Sequence, residues 1–407
     1  MAYRVRLCRS PEDLGRALGA IGHYFGWVPD PEDVERFAKL LPAERMHAAF
    51  DDGNVVAGAG AFAFDMTVPG RVAIPCAGVT VVGTLPTHRR RGLLTRMMRA
   101  QLDDLYERGE PIAALYASEE TIYGRYGYGL ASLRQEVRLP RTWAALRADA
   151  PPSSGVVRLV AREEAARAFP RVYERVRKTT PGFLSRSGDW WTLRRLWDHP
   201  DRRPPGGGPL NYALFELNGR ASAYALYRFV QREESGHWTR RLHVIEALGD
   251  DVTGTREIWR FLFGIDWVDE ILAWHLSVDH PLMHMVARLD RLDLGVETGL
   301  WVRLVDVGGA LSARGYFADG RVTFEVTDTF GPWNAGTWTL ENGVARRSRR
   351  RPDLRLDVTS LGATYLGGFS FAQLSRAGLV EEARRGAAAR ADAIFASDRA
   401  PWCPENF

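Results

Sequence analysis

Hydrophobic and polar positions follow two rhythms along this chain, and the change from one to the other is sharpest between Val79 and Gly129. Val79 to Leu85 is a short run rich in β-branched residues, the pattern of a buried strand. A polar turn follows, Pro86-Thr87-His88-Arg89-Arg90-Arg91-Gly92. Beyond it Leu94, Met98, Leu102 and Leu105 recur at helical spacing until Gly109 and Pro111 supply a stop. The pattern predicts a strand, a basic turn and an amphipathic helix. Upstream, Tyr3 to Leu7 alternates as a first strand, and Ser10-Pro11-Glu12-Asp13 and Asp30-Pro31-Glu32 read as helix starts. Strand-like runs at 55–64 and 72–74 are hinged at Asp51-Asp52-Gly53-Asn54 and Val68-Pro69-Gly70.

Past the linker-like stretch Ala150-Pro151-Pro152-Ser153-Ser154-Gly155, the same order recurs loosely. Helical patterns cover 163–179 and 190–197, strands cover 212–217 and 221–229 around the hairpin signal Asn218-Gly219, and a strand at 242–248 precedes another helix. Gly249-Asp250-Asp251-Val252-Thr253 stands where the first unit has its arginine-glycine turn, and two aspartates there would repel an anion. From Leu300 a short helix near 307–314 leads to strands at 322–326, 337–340 and 354–358, and an alanine-rich helix is predicted over 371–395. The expected division is 1–150, 151–299 and 300–407, with α+β architecture throughout.

A chain of 407 residues is long enough for two or three cores. Its formal charge of +4 is small for that length and gives weak reason to expect a nucleic-acid partner. Only Lys39 and Lys178 are lysines, so arginine carries the positive charge. The densest basic run, Arg346 to Arg351 around Ser348, has no interleaved aromatic residues and reads as a solvated loop. Cys8, Cys76 and Cys403 are odd in number and widely spaced, which fits reduced thiols. With no apolar leader and no run of eighteen apolar residues, the expectation is a cytoplasmic chain without a membrane partner. His275, His280 and His284 lie close together, but no carboxylate or cysteine completes a ligand pattern and Pro281 interrupts any shared helix. No metal is expected there.

The basic turn carries the chemistry. A helix entered through glycine presents unpaired backbone N–H groups and a positive dipole end, and phosphate is its natural occupant. Gly92 permits close approach, and Arg89, Arg90 and Arg91 add cationic charge. Arg89-Arg90-Arg91-Gly92-Leu93-Leu94 resembles the acetyl-CoA pyrophosphate loop of the GNAT N-acetyltransferases, Arg/Gln-x-x-Gly-x-Gly/Ala, with Leu94 departing from its last position. The longer string PTHRRRGLL, AALYASE and IYGRYGYG, in register, resembles the Eis (enhanced intracellular survival) family of these enzymes, and the match runs to both termini.

The resemblance implies two tandem GNAT-like domains, the second degenerate, followed by a sterol-carrier-protein-like domain, and it implies hexamers. It assigns Val82, Gly83 and Thr84 to the pantetheine of acetyl-CoA. Arg89, Arg90, Arg91, Gly92, Leu93, Leu94 and Thr95 form the pyrophosphate cradle, and Ser118 and Glu119 the end of the groove. Backbone N–H groups near Val82 are the implied oxyanion hole. Composition does not rank Tyr123, Tyr126 and Tyr128 as a general acid; alignment with the Ile-Tyr-Gly-Arg motif selects Tyr123. A phenol suits the task because its pKa lies near that of a thiol. The family's base is the carboxylate of its last residue, here Phe407. A tail with two prolines, a tryptophan and a terminal phenylalanine has little entropy to lose on docking.

The implied acceptor is a small-molecule amine, aminoglycoside-like or polyamine-like. Trp27 and Phe37 are candidate pocket walls, and Asp65 and Glu405 candidate acidic contacts. Asn406 stands where relatives that acetylate aminoglycosides carry an acid, so the family mechanism is better supported than that acceptor. A lysine or peptide acceptor, and a non-catalytic binder of an apolar ligand, are the alternative readings.

Overall fold

Ser10 and Asp30 each accept a hydrogen bond from the backbone N–H three residues on, Asp13 and Asp33, and so cap α1 (Pro11–Gly22) and α2 (Pro31–Leu40). The computed structural model that shows this describes residues 3–149, 151, 153–234 and 236–407. Ala150 and Pro152, within the expected linker, lie outside the described residues. The chain forms two compact units: Met1–Ser132 with Gly299–Pro401 and Glu405–Phe407, and Leu133–Thr298 with Trp402–Pro404.

In the first unit β1 (Arg4–Leu7), β2 (Met46–Asp51), β3 (Asn54–Val68) and β4 (Val72–Thr84) form an antiparallel run. After α3 (Leu93–Glu107), β5 (Ile112–Tyr116) pairs parallel to β4, as a strand-helix-strand crossover requires. The short α4 (Glu120–Tyr123) and β6 (Gly129–Leu130) follow, and Leu300–Leu304 fills the place between β5 and β6 to complete a seven-stranded sheet. Leu102 and Leu105 of α3 share a core with Ala61, Ala77, Val79, Ala113 and Leu115 on one sheet face.

The same unit holds a five-stranded sheet, in the order Val344–Arg347, Gly336–Glu341, Arg321–Thr327, Leu354–Asp357 and Val380–Glu382. The helix Val358–Tyr365 lies so close to β6 and Leu300–Leu304 that a Cβ on Gly129 would sit 1.9 Å from the Thr359 carbonyl oxygen. The β3–β4 hairpin turn meets Gly315 in the same manner. Gly315 N–H donates to the Pro69 carbonyl at 2.7 Å, and a Cβ on Gly70 would lie 2.5 Å from the Gly315 Cα. The single helix expected over 371–395 is instead two, Phe371–Arg376 and Ala387–Phe395, with the strand Val380–Glu382 between them. Gly378 and Gly386, at φ +74° and +76°, take left-handed conformations that end one helix and enter the other.

The second unit repeats the first sheet's design. Its strands run in the order Asp293–Thr298, Leu133–Pro140, Glu270–Leu276, His237–Gly249, Arg220–Glu234, Asn211–Leu217 and Val156–Leu159. The parallel pair is again joined by a helix, Val252–Gly264. Leu133–Pro140 lies before the expected boundary at 150, yet it pairs in this sheet and buries Gln135, Val137 and Leu139.

Candidate active site

Gly92 sits at φ +74° at the entrance of α3, a conformation open to glycine at little steric cost, and no side chain caps the helix. The first intrahelical bond there runs from Arg96 N–H to the Gly92 carbonyl, so the N–H groups of Leu93, Leu94 and Thr95 have no partner within the helix. They open on a groove of about 700 Å³ lined by Val82, Gly83, Thr84, Arg89, Arg90, Gly92, Leu93, Leu94, Thr95, Ser118, Glu119 and Tyr123. The structure thus gathers most residues of the expected donor site in one place.

Strand pairing explains the groove's floor. β3 and β4 pair Gly58 with Gly83 but Gly60 with Thr80, so Val81 and Val82 together oppose Ala59 in a β-bulge. Val81 has φ +45°, a strained conformation for a β-branched residue. Pairing between β4 and β5 stops at Gly78–Ala114, and from Val81 to Thr84 the strand is half-exposed where β5 has diverged.

Tyr123 lies on the α3 side of this opening, buried at 6% exposure and packed with Ala77, Val79 and Leu115. Burial raises its pKa above the usual phenol value, and a hydrogen bond with Ser118 works against that rise. Glu119 accepts from the N–H and hydroxyl of Thr121, bonds that lower its own pKa. Tyr126 bonds its hydroxyl to Thr95 at 3.2 Å, and Tyr128 is wholly buried and pushed far up by desolvation.

Phe407 lies on the other side of the same sheet. Its ring packs on Phe64 at 5.5 Å and Tyr116 at 5.9 Å, and a Cβ on Gly78 would lie 3.2 Å from it. An aromatic row runs on from Phe64 through Phe62 to Phe37, with ring separations of 5.7 and 6.1 Å. Tyr123 and Phe407 therefore flank the gap that opens between β4 and β5 from opposite faces.

Other expected residues fall elsewhere. Arg91 is not among the groove residues; its guanidinium donates to the Tyr3 hydroxyl at 2.6 Å. Trp27 donates its indole N–H to Asp33 at 3.2 Å, and Phe37 is a core residue. Asp65 alternates to the opposite face of β3 from Phe64 and is exposed, whereas Glu405 is buried at 2% exposure. None of these four lines the groove. Tyr24, Phe25, His88, Thr121, Ile122, Arg125 and Tyr126 do line it. Of these, Ile122, Arg125 and Tyr126 stand in the glycine-spaced tyrosine motif and His88 in the basic turn, whereas Tyr24, Phe25 and Thr121 had no sequence signal of their own.

The equivalent helix mouth in the second unit is closed. Asp251 caps Val252–Gly264 through the Gly254 N–H at 2.6 Å, and buried Asp250 is ion-paired with Arg175 and Arg220. Carboxylates hold the positions an anion would need. His275 and His280 are buried, His284 is exposed, and no metal-ligand group of three is present among the described residues.

A groove that ends on an uncapped helix mouth beside a bulged strand has the geometry to take a phosphorylated ligand, the arrangement expected of an acyl-CoA-dependent acetyltransferase fold. Residues 5–131 match the model of an acetyltransferase (GNAT) domain, residues 182–304 match a second acetyltransferase (GNAT) domain, and residues 307–404 match a sterol carrier protein domain. The chain is 40% identical to an uncharacterized N-acetyltransferase of Streptomyces avermitilis across all of both chains. It is 33% identical to N-acetyltransferase Eis of Mycobacterium tuberculosis, with 97% of each chain covered. The crystal structure of Eis1 from Mycobacterium abscessus superposes with a TM-score of 0.85 at 32% identity, over 99% of this chain and 100% of that one. The chain belongs to the Eis family of GNAT N-acetyltransferases. Its fold is two GNAT domains followed by a sterol-carrier-like domain, and enzymes of the GNAT class use acetyl-CoA.

Proposed function

We propose that this acetyltransferase moves the acetyl group of acetyl-CoA to a primary amine of a small molecule, aminoglycoside-like or polyamine-like. Arg89, Arg90 and the N–H groups of Leu93, Leu94 and Thr95 hold the diphosphate, and Val82 to Thr84 run beside the pantetheine. The amine nitrogen attacks the thioester carbonyl carbon while N–H groups at the Val81–Val82 bulge receive the developing oxyanion. The carbon–sulfur bond then breaks, the leaving sulfur takes the proton of the Tyr123 hydroxyl, and the proton shed by the amine passes to the terminal carboxylate of Phe407. The products are an amide and CoA thiol.

The observation that carries this reading is the meeting of the uncapped α3 mouth, the bulged strand and Tyr123 in one groove. The test is CoA-thiol release with spermidine, tobramycin and a lysine peptide as acceptors, run beside a variant with one alanine appended after Phe407. The extension moves the carboxylate and leaves every native side chain in place. Turnover is expected to fall to background with acetyl-CoA affinity unchanged; undiminished turnover would remove the terminus from the mechanism. A lysine peptide outpacing both small amines would move the acceptor to protein.

A further inference from the structure

The segment Asp328 to Asn334 belongs by sequence to the sterol-carrier-like domain, yet its rings pack into the core of the acetyl-CoA-binding domain. Asp328 holds the segment's shape. One of its oxygens accepts from the N–H groups of Phe330 and Gly331, at 3.1 and 2.7 Å, and the other from Asn334 at 3.1 Å and the Arg303 guanidinium at 2.5 Å. Both members of that ion pair are fully buried. Arg303 lies directly beneath Gly127, where a Cβ would come within 2.1 Å of its Nη1, so the segment is tied to the tyrosine turn from below.

Phe330 projects from this tether between two walls of the donor groove. On one side its ring meets Tyr126 edge to face, with centroids 4.9 Å apart; on the other, the Arg99 guanidinium lies over it at 4.1 Å. Arg99 stands four residues along α3 from Thr95, on the same face of the helix. Thr95 and Tyr126 are hydrogen-bonded to each other at 3.2 Å on the groove side, and both line it. The ring is thus a wedge behind a bond that closes the groove between the helix and the turn.

We infer that Phe330 is a positioning residue for acetyl-CoA, through which the sterol-carrier-like domain sets the width of the donor groove. Without the wedge, Tyr126 loses its backing, the bond to Thr95 is no longer held, and α3 and the turn are free to separate where the nucleotide must be gripped. The ring touches neither thioester nor amine, so its loss acts on donor binding and leaves the chemical step nearly untouched. The inference rests on the reading of the groove as the acetyl-CoA site.

The test is calorimetric titration of CoA, together with KM and kcat for acetyl-CoA, in Phe330→Ala and Phe330→Tyr. The loss of one aromatic pair and one cation–π contact is expected to weaken CoA binding and raise KM about tenfold. In that variant kcat stays within about threefold, and Phe330→Tyr restores affinity. Because Phe330 acts through Tyr126, adding Tyr126→Ala to Phe330→Ala is expected to weaken binding less than the product of the single effects. Should Phe330→Ala melt far below the wild type, Arg99→Met puts the same question by removing only the cation over the ring, with the same direction expected. Wild-type CoA affinity in Phe330→Ala, or a fall in kcat with affinity kept, would overturn the inference. Failure of the unaltered protein to bind CoA would instead sink the reading of the groove, and this inference with it.

Discussion

Tyr123 combines a raised pKa with a place beside the gap in the sheet, and the direction of that shift has a kinetic sign. A phenol whose pKa exceeds 10 stays protonated through the neutral range, so the alkaline fall in kcat should lie above the ordinary phenol value. Tyr123→Phe is expected to lower kcat by roughly 10²–10⁴-fold, to leave CoA affinity unchanged and to abolish that alkaline limb. A wild-type rate that already declines below pH 9 would assign the proton to another group. The residues of the groove were legible because backbone N–H groups, glycine and arginine in a strand–turn–helix define an anion site by their order in the chain. Arg91 was not, since Arg90 at φ +60° redirects the turn and no spacing rule reports that. Trp27, Phe37 and Asp65, expected at an acceptor pocket, lie outside the groove, and Phe37 continues the aromatic row that leads to Phe407.

Among the elements, β4 does most to shape the site. Its bulge places Val82, Gly83 and Thr84 along the groove, and a shift of one residue would send each of them to the opposite face. Deleting Val81 should restore one-to-one pairing with β3 and remove a conformation strained by about 1–3 kcal/mol. Thermal stability is expected to change little, while kcat/KM for acetyl-CoA drops at least a hundredfold. A deletion variant with native turnover would show that the bulge is dispensable. Neither the bulge nor the divergence of β5 was legible, because both arise from pairing between strands and leave the local alternation intact. The predicted helix over 371–395 failed for a different reason. Alanine-rich periodicity continued through the region, but Gly378 and Gly386 in left-handed conformations gave the intervening residues to a strand.

At the scale of the whole molecule, both units bury neutral histidines; in the first, desolvation lowers His47 to about 4. The second unit buries His275 and His280, which desolvation lowers to about 3 and about 4, and Glu246, held at about 2 by Arg186 and Arg195 despite its burial. All three folded pKa values lie below the unfolded ones. The histidines' contribution is complete above about pH 6.5 and is lost as pH falls toward 4 and then 3; that of Glu246 is lost from about 4.5 toward 2. Calorimetric melting should therefore show the second unit's transition moving down from pH 6.5 to 4, and His280→Gln should flatten that slope. A transition independent of pH across the range would contradict the buried neutral histidines. Three successive α+β regions were legible from the order of strand and helix signals. The place of Leu300–Leu304 in the first sheet was not, because pairing across so much chain leaves no local pattern.

Gly70 and Gly315 meet backbone to backbone, with no space between them for even one methyl group. A new side chain at either position wedges the hairpin off its seat, and no change at the other relieves the clash, since neither residue has an atom left to give up. Any side chain at either position is accommodated only if the hairpin and the segment beneath it move apart as whole pieces of backbone.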